Sequence, residues 1–189
     1  MILKSIQKVK LYELLYFIDK DLAEQQRLKA CPFCNSPIHF SNYPRKPRGG
    51  PDNLPDELMI RHSFCCSSQA CRKRVLPASC RFWGRKVYWG ITILVIMTLQ
   101  QRRVEGYSAG KLIRLFGISR HTLKRWMIYF KRIFPISNQW KRIKGLICFE
   151  ISQDPLPGAM VLSLIERFES VERGLIQSLR LLLGGSEML

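Results

Sequence analysis

Two cysteine groups constrain this chain more than any other feature: Cys31-Pro32-Phe33-Cys34, and the stretch from Phe64-Cys65-Cys66 to Cys71. Two thiols separated by two residues reach one ion across a tight turn, and tetrahedral coordination then calls for two more donors. Cys66 and Cys71 are the leading choices, although four residues separate them. Cys65 stands as an alternative to Cys66, and His62 or His39 as further alternatives. Neighbours on a strand point to opposite faces, so Cys65 and Cys66 do not serve one ion together; Cys66 lies nearer to Cys71. Two short strands would bring the groups together, with residues 35–65 as the excursion between them. The expectation is one structural zinc ion on Cys31, Cys34, Cys66 and Cys71, contributing folding energy to a segment with few apolar residues. Two other readings stay open. One is buried free thiols, of which Cys80 and Cys148 are examples. The other is a redox pair at Cys31 and Cys34, although no βαβ pattern surrounds it.

The compartment follows from the same seven cysteines. The chain begins Met1-Ile2-Leu3-Lys4 and alternates apolar and charged residues up to Lys29, with no small-residue cleavage site. Cysteines without an export segment imply a reducing compartment, and metal rather than disulfides. The most apolar run, Val87 to Leu99, is shorter than the roughly 20 residues that span a bilayer and reads as a buried helix. A cytoplasmic, nucleoid-associated protein without a membrane partner is expected.

Charge narrows the partner. The formal net charge is +17. Between Arg72 and Lys144 stand eighteen Lys/Arg and one acid, Glu105, leaving thirteen of each sign elsewhere. The whole surplus therefore belongs to one block. A clustered basic surface binds a polyanionic backbone by releasing its counterions. Nucleic acid is the expected partner, and charge alone does not separate DNA from RNA.

The periodicities place these features on elements. The expected fold class is mainly α with a small β zinc ribbon, a three-helix helix-turn-helix core and a C-terminal helix. Leu11, Leu14, Leu15, Ile18 and Leu22 mark a helix over Val9 to Leu28. Residues 42–56 form a loop by composition, and strand-like residues resume at Leu58-Met59-Ile60. Trp83-Gly84 is a turn candidate. A helical period runs from Val87 to about Arg103 and ends at Gly106. Helices are expected from Ser108 to Phe116 and from Ser119 to about Ile133, where Pro135 stops the second. The last helix covers Ala159 to Leu183. The domain reading is 1–30 N-terminal helix, 31–84 zinc ribbon with long loop, 85–145 helix-turn-helix, and 146–189 linker and C-terminal helix.

The segment from Ser108 to Trp126 carries the second motif. Leu112, Leu115 and Phe116 give its first helix an apolar face. Gly117 permits a tight inter-helix turn, Ile118 plugs the corner, and Ser119 is suited to cap the next helix. Leu123 and Trp126 face inward there. Arg120, His121, Lys124 and Arg125 fall on or beside the face that enters a major groove. Ile113 occupies a position where such motifs usually have a small residue. Val87–Arg103 supplies the supporting helix, and Arg85, Lys86, Lys131, Arg132, Lys141, Arg142 and Lys144 are candidate phosphate contacts. An ordinary helical hairpin with a basic surface is the plainer alternative.

These motifs in this order resemble a family. Cys31-Pro32-x-Cys34, then Phe64-Cys65-Cys66 up to Cys71-Arg72-Lys73-Arg74, then Phe82-Trp83-Gly84-Arg85-Lys86 before an apolar helix, looks like the N-terminal zinc ribbon of insertion-sequence transposases. A helix-turn-helix follows in those proteins, as Ser108–Trp126 does here. The resemblance covers roughly residues 31–130. It implies a ribbon and helix-turn-helix that bind an element's terminal DNA, ahead of a ribonuclease-H-like domain with an Asp-Asp-Glu metal site. Only 45 residues follow Lys144, too few for that domain, and their acids (Glu150, Asp154, Glu166, Glu169, Glu172, Glu187) lie in a linker, a helix or the tail. The expectation is a transposase-related accessory or regulatory factor that binds duplex DNA without nuclease activity.

Two further readings concern partners. Val161, Leu164, Phe168, Val171, Leu175, Ser178 and Leu182 fall at alternating spacings of three and four, a heptad seam with one polar position. It would serve either a homodimer or larger assembly through residues 159–183, or packing on the chain's own domain, since Gly174 weakens the helix. An RNA-binding or ribonucleoprotein role is the main alternative, as is an assembly subunit of a mobile-element complex. No His-Glu-x-x-His, phosphate-binding glycine loop or Gly-x-Ser-x-Gly occurs, so no catalytic residue is expected.

Overall fold

In the computed structural model of the chain, which describes residues 2–83, 87–147, 151 and 155–183, a single turn, α1 (Ile2–Ser5), precedes α2 (Val9–Arg27). The spacing that marks α2 in the sequence buries Leu11 and Leu15 together with Tyr12, while Leu14 faces solvent.

Five short strands follow: β1 (Ile38–Phe40), β2 (Tyr43–Pro44), β3 (Ile60–Arg61), β4 (Phe64–Cys66) and β5 (Arg74–Val75). An antiparallel sheet runs in the order β1-β4-β5, and β2 pairs with β3. Ile38 lies opposite Cys66, Phe40 opposite Phe64, and Phe64 opposite Val75. Cross-strand partners share a face, so Ile38, Phe64, Cys66 and Val75 point the same way. With Cys31 they close a small core on Ala23 of α2.

The stretch 42–56, a loop by composition, is docked. It contains β2 and leads into a 3-10 turn, Asp56–Met59. Arg48 N–H donates to Val87 O (2.7 Å), Trp89 N–H to Arg48 O (3.2 Å), and Thr92 Oγ1 to Gly49 O (2.9 Å). That docking holds residues 87–89 in an extended path beside Arg48 and Phe82. For this reason α3 (Gly90–Gln101) begins three residues later than its apolar run suggests. Every residue of α3 from Gly90 to Leu99 is buried.

α4 (Ala109–Phe116) and α5 (Arg120–Ile128) come next. The second helix was expected to reach Ile133. Instead the α-helical pattern ends at Ile128 and gives way to a π-helical turn, Tyr129–Ile133, and a 3-10 turn, Phe134–Ile136, that contains Pro135. α6 (Asn138–Leu146) then forms on a Ser137 cap, burying Trp140 and Ile143.

The C-terminal region corrects the expectation of one helix. Two form, α7 (Gly158–Arg167) and α8 (Val171–Leu183), packed on each other. Glu169 takes a left-handed φ of 47° between them, and Ser170 Oγ accepts from Arg173 N–H (3.3 Å) to start α8. Val161, Leu164, Val171, Leu175, Ser178 and Leu182 are buried within the chain itself. Their spacing serves this hairpin. Gly174 sits at the crossing: a Cβ there would lie 2.6 Å from the backbone N and Cα of Ile165.

α3 packs mainly against α7 and α8, and α8 also touches α1 and α6. One continuous apolar core runs from Ile6 and Leu11 through α3 to Phe116, Trp126, Phe130, Trp140 and Leu175. The protein is thus mainly helical, with a small antiparallel sheet carrying the cysteines. Among the described residues no helix is long and apolar enough to cross a membrane.

Candidate metal centre and basic helical surface

Two turns present the thiols. In the first, Cys31 N–H donates to Ser36 O and Asn35 N–H to Cys31 O, both at 2.8 Å, and Asn35 adopts φ 59°. In the second, Cys66 N–H donates to Lys73 O (3.0 Å), Cys71 N–H and Arg72 N–H converge on Ser68 O (3.1 and 3.0 Å), and Arg72 adopts φ 47°. Each turn therefore closes on a left-handed residue directly after its second cysteine. The β1–β4 pairing and Ser67 N–H to Pro37 O (3.0 Å) hold the turns side by side.

The result is four Sγ atoms within 4.8 Å of one another, on Cys31, Cys34, Cys66 and Cys71. Cys34 Sγ lies 3.3 Å from Cys66 Sγ, and Cys31 Sγ 3.9 Å from Cys71 Sγ. Thiolates around a tetrahedral ion at about 2.3 Å stand about 3.8 Å apart, so the cluster fits a single ion. Four sulfur donors suit a soft or borderline cation. The thiols start from different protonation tendencies. Donors from the Ser36 side chain, its backbone and then Cys66 lower Cys34 to about 6, whereas burial pushes Cys66 up to about 12. An ion entering the cluster displaces the proton that Cys66 otherwise keeps.

Cys65 lies outside the group. It is paired across the sheet with His39 and Arg74, and its Sγ is 3.7 Å from Arg72 O. The alternative donors also lie outside: His39 is exposed, and His62 is buried against the Tyr16 ring. All six cysteines among the described residues are free thiols, Cys80 among them and wholly apart from the cluster. Cys148 lies outside the described residues.

Of the basic block, the part from Lys111 to Lys144 occupies α4, α5, the π turn and α6, whereas Arg74 lies in β5 and Arg81 is buried. Both N-caps are formed: Ser108 Oγ accepts from Lys111 N–H (3.3 Å) and Ser119 Oγ from Thr122 N–H (3.0 Å). Gly117 turns the chain at φ 57°, ψ 32°, where a glycine carries no Cβ penalty. Tyr88 secures that turn, its hydroxyl donating to Gly117 O (3.0 Å) and its ring meeting Trp126 edge-on at 5.3 Å. Leu112, Phe116, Ile118, Leu123 and Trp126 are buried. Leu115 departs from the expected apolar face and is 56% exposed. Ile113 is half-buried against the core.

Arg120, His121, Lys124 and Arg125 are exposed on α5, Lys131 and Arg132 on the π turn, and Lys141, Arg142 and Lys144 on α6. Among the described residues none of these side chains forms an ion pair with a carboxylate. Arg85, Lys86 and the Gly84 turn lie outside the described residues, as do Glu150, Asp154 and Glu187. Comparison of the chain with protein-family models, curated proteins and solved structures finds no match. The functional reading therefore stands on these two groups of side chains.

Reading the sequence missed several supports of the site. Asn35 had a visible signal, since asparagine tolerates the left-handed region; Arg72 had none. α6 and α8 were signalled by Ser137 and Ser170, each a good helix cap. The contact of Tyr88 with Gly117 joins residues 29 apart and has no local signature.

Proposed function

We propose that this protein binds duplex DNA through α4 and α5 and that one structural zinc ion on Cys31, Cys34, Cys66 and Cys71 stabilises its cysteine-bearing sheet. The observation that carries the reading is the division of α5. Leu123 and Trp126 are buried, while Arg120, His121, Lys124 and Arg125 stand exposed and form no ion pair among the described residues. A capped helix with a bare cationic side suits a major groove, where its side chains reach base edges. Lys131, Arg132, Lys141 and Arg142, with Arg85 and Lys86, are assigned to phosphates, which give affinity and register. In this reading α4 and α5 are the DNA-reading pair, beside an α3 that packs mainly on α7 and α8 rather than completing the expected three-helix unit, and the sheet with its two turns is a zinc ribbon.

Zinc is favoured by the donor set. Four thiolates suit its tetrahedral preference and leave no open position for water, so the role is structural and non-catalytic. The resemblance to the N-terminal region of insertion-sequence transposases supports an accessory or regulatory role at DNA ends, acting in a cytoplasmic, nucleoid-associated setting.

Selection of bound sequences from a random duplex pool, with affinities measured across salt, tests the proposal. Enrichment of a motif and a steep fall of affinity with salt are expected. Tighter binding to single-stranded RNA than to duplex at every salt concentration would replace this reading with a ribonucleoprotein role.

A further inference from the structure

The outward face of α2 leaves two large apolar side chains in solvent. Leu14 is 42% exposed and Phe17 is 59% exposed. At 3.6 residues per turn they lie almost in line, and Lys10 and Asp21 extend the same stripe, which is about 60° wide. It points away from Tyr12, Leu15, Asp19 and Ala23, the residues that α2 buries. Lys10 and Asp21 are exposed, and among the described residues neither forms an ion pair.

The stripe is complementary to itself. A two-fold axis perpendicular to α2, midway between Leu14 and Phe17, lays a second α2 antiparallel on the first. In a contact of this symmetry residue i meets j while j meets i. Leu14 of each copy then meets Phe17 of the other, and Lys10 of each meets Asp21 of the other. Steps of four, three and four residues, which put these positions in line, are the steps of a helix–helix seam. Exposed Glu13 and Lys20 share one flank of the seam. The same axis brings Glu13 of one copy to about 3 Å along the helix from Lys20 of the other.

Charge selects the occupant. The chain carries +17, yet α2 holds three basic residues and four acids, Asp19 among them. Two copies of a strongly basic protein therefore meet here without the repulsion that α5 and α6 would impose. Glu13 and Asp21 on this face disfavour nucleic acid and anionic membrane. The C-terminal stripe of α7 and α8 is buried within the chain and plays no part in the contact.

We propose that α2 is a homodimer contact, in which two copies cross antiparallel on Leu14 and Phe17 and are held in register by Lys10–Asp21 pairs. Two apolar residues per copy make a contact smaller than a standard interface, so the dimer is reversible, with a Kd of about 10–100 μM. The contact does not depend on duplex binding.

Sedimentation equilibrium of the purified full chain, without nucleic acid, at about 5–300 μM protein and ~0.15 M salt, is the test. A monomer–dimer equilibrium is expected. Phe17→Glu should leave only monomer and, because Phe17 is exposed, should keep the parent's melting temperature. Lys10→Glu and Asp21→Lys should each weaken the dimer about tenfold, since each sets like charges opposite one another twice. The double variant Lys10→Glu/Asp21→Lys should return to within about threefold of the parent Kd. A parent chain that stays monomeric throughout overturns the proposal and leaves this face to a different protein. A dimer that Phe17→Glu does not weaken overturns it as well. So do charge reversals whose effects add, rather than cancel, in the double variant.

Discussion

The Asp19 carboxylate and the Arg81 guanidinium meet at 2.8 Å with both side chains fully excluded from solvent. The pair is completed on every side. Cys80 N–H (2.6 Å) and Ser79 Oγ donate to Asp19, while Arg81 donates to Leu58 O and Ile60 O. One ion pair thereby joins α2, the 3-10 turn before β3, and the segment that leads to α3. Asp19→Ala removes the carboxylate that pairs with the buried Arg81. Breaking such a pair from one side costs about 3–5 kcal/mol, because the remaining charge is desolvated without compensation. Urea denaturation should report that loss, and the double variant Asp19→Leu/Arg81→Met should recover part of it. A cost below about 1 kcal/mol for Asp19→Ala would show that the pair is not holding these elements together.

Metal removal gives a second expectation. Protein purified without added zinc should carry about one zinc ion per chain by elemental analysis. Chelation should expose the amides of β1, β4 and β5 to hydrogen exchange, because little apolar surface holds that sheet without an ion. Cys66→Ser should lower metal content sharply, while Cys65→Ser should not. Equal loss in both variants contradicts the placement of Cys65 outside the cluster.

His62 predicts the direction of an acid effect. Its two ring nitrogens are buried without hydrogen-bond partners. Burial, followed by the charge of Arg81, lowers its pKa below the ordinary 6.5, with Asp19 opposing in part. The unfolded chain therefore takes up this proton first as pH falls. The stability contributed by neutral His62 is fully present above about 6.5 and declines as pH drops from there toward the folded-state pKa. His62→Leu should flatten the stability–pH curve in that window relative to wild type, by at most about 1.4 kcal/mol per pH unit. Identical slopes in the two proteins would remove His62 from the account.

Gly174 and Gly145 should respond oppositely to alanine. Both lie in helices, where alanine is favoured by about 1 kcal/mol on propensity alone. A Cβ at Gly145 meets nothing within 4 Å, so Gly145→Ala should be neutral or stabilising. At Gly174 the added carbon lies 2.6 Å from the Ile165 backbone, which cannot rotate away. Gly174→Ala should cost about 1–3 kcal/mol as α7 and α8 are forced apart. Thermal melts of the two variants decide the matter by sign.

The DNA assignment separates two sets of cations. Lys124→Ala or Arg125→Ala should relax sequence selectivity, with a cost of about 1–3 kcal/mol on the preferred site. Lys141→Ala or Arg142→Ala should weaken binding evenly across sequences and reduce the salt slope by about one per charge removed. Equal effects from both sets would argue against α5 as the reading helix.

Much of the candidate metal site was legible because its logic is local. Cys31 and Cys34 share one turn, strand alternation admitted only one of Cys65 and Cys66, and nearness to Cys71 favoured Cys66, which the β1–β4 register turns to the cluster's side. The extents of α2 and α4 were close for the same reason, since period and cap lie within a few residues of each other. The C-terminal hairpin was not legible. A spacing of three and four marks a buried helical stripe without stating what covers it, and Ser170 was the overlooked sign of a second helix start.

Spacing, caps and charge placement are properties of neighbours along the chain, and they specified four thiols for one ion, a glycine turn between α4 and α5, and a cationic outer side. Contacts between distant segments followed another logic. The pairing of Asp19 with Arg81, the docking of residues 42–56 on α3, and the folding of α8 onto α7 each join segments whose encounter depends on how the whole core closes. Burial is shared among all elements at once, so the partner of an apolar stripe or a buried charge is settled only when every other stripe has found its own.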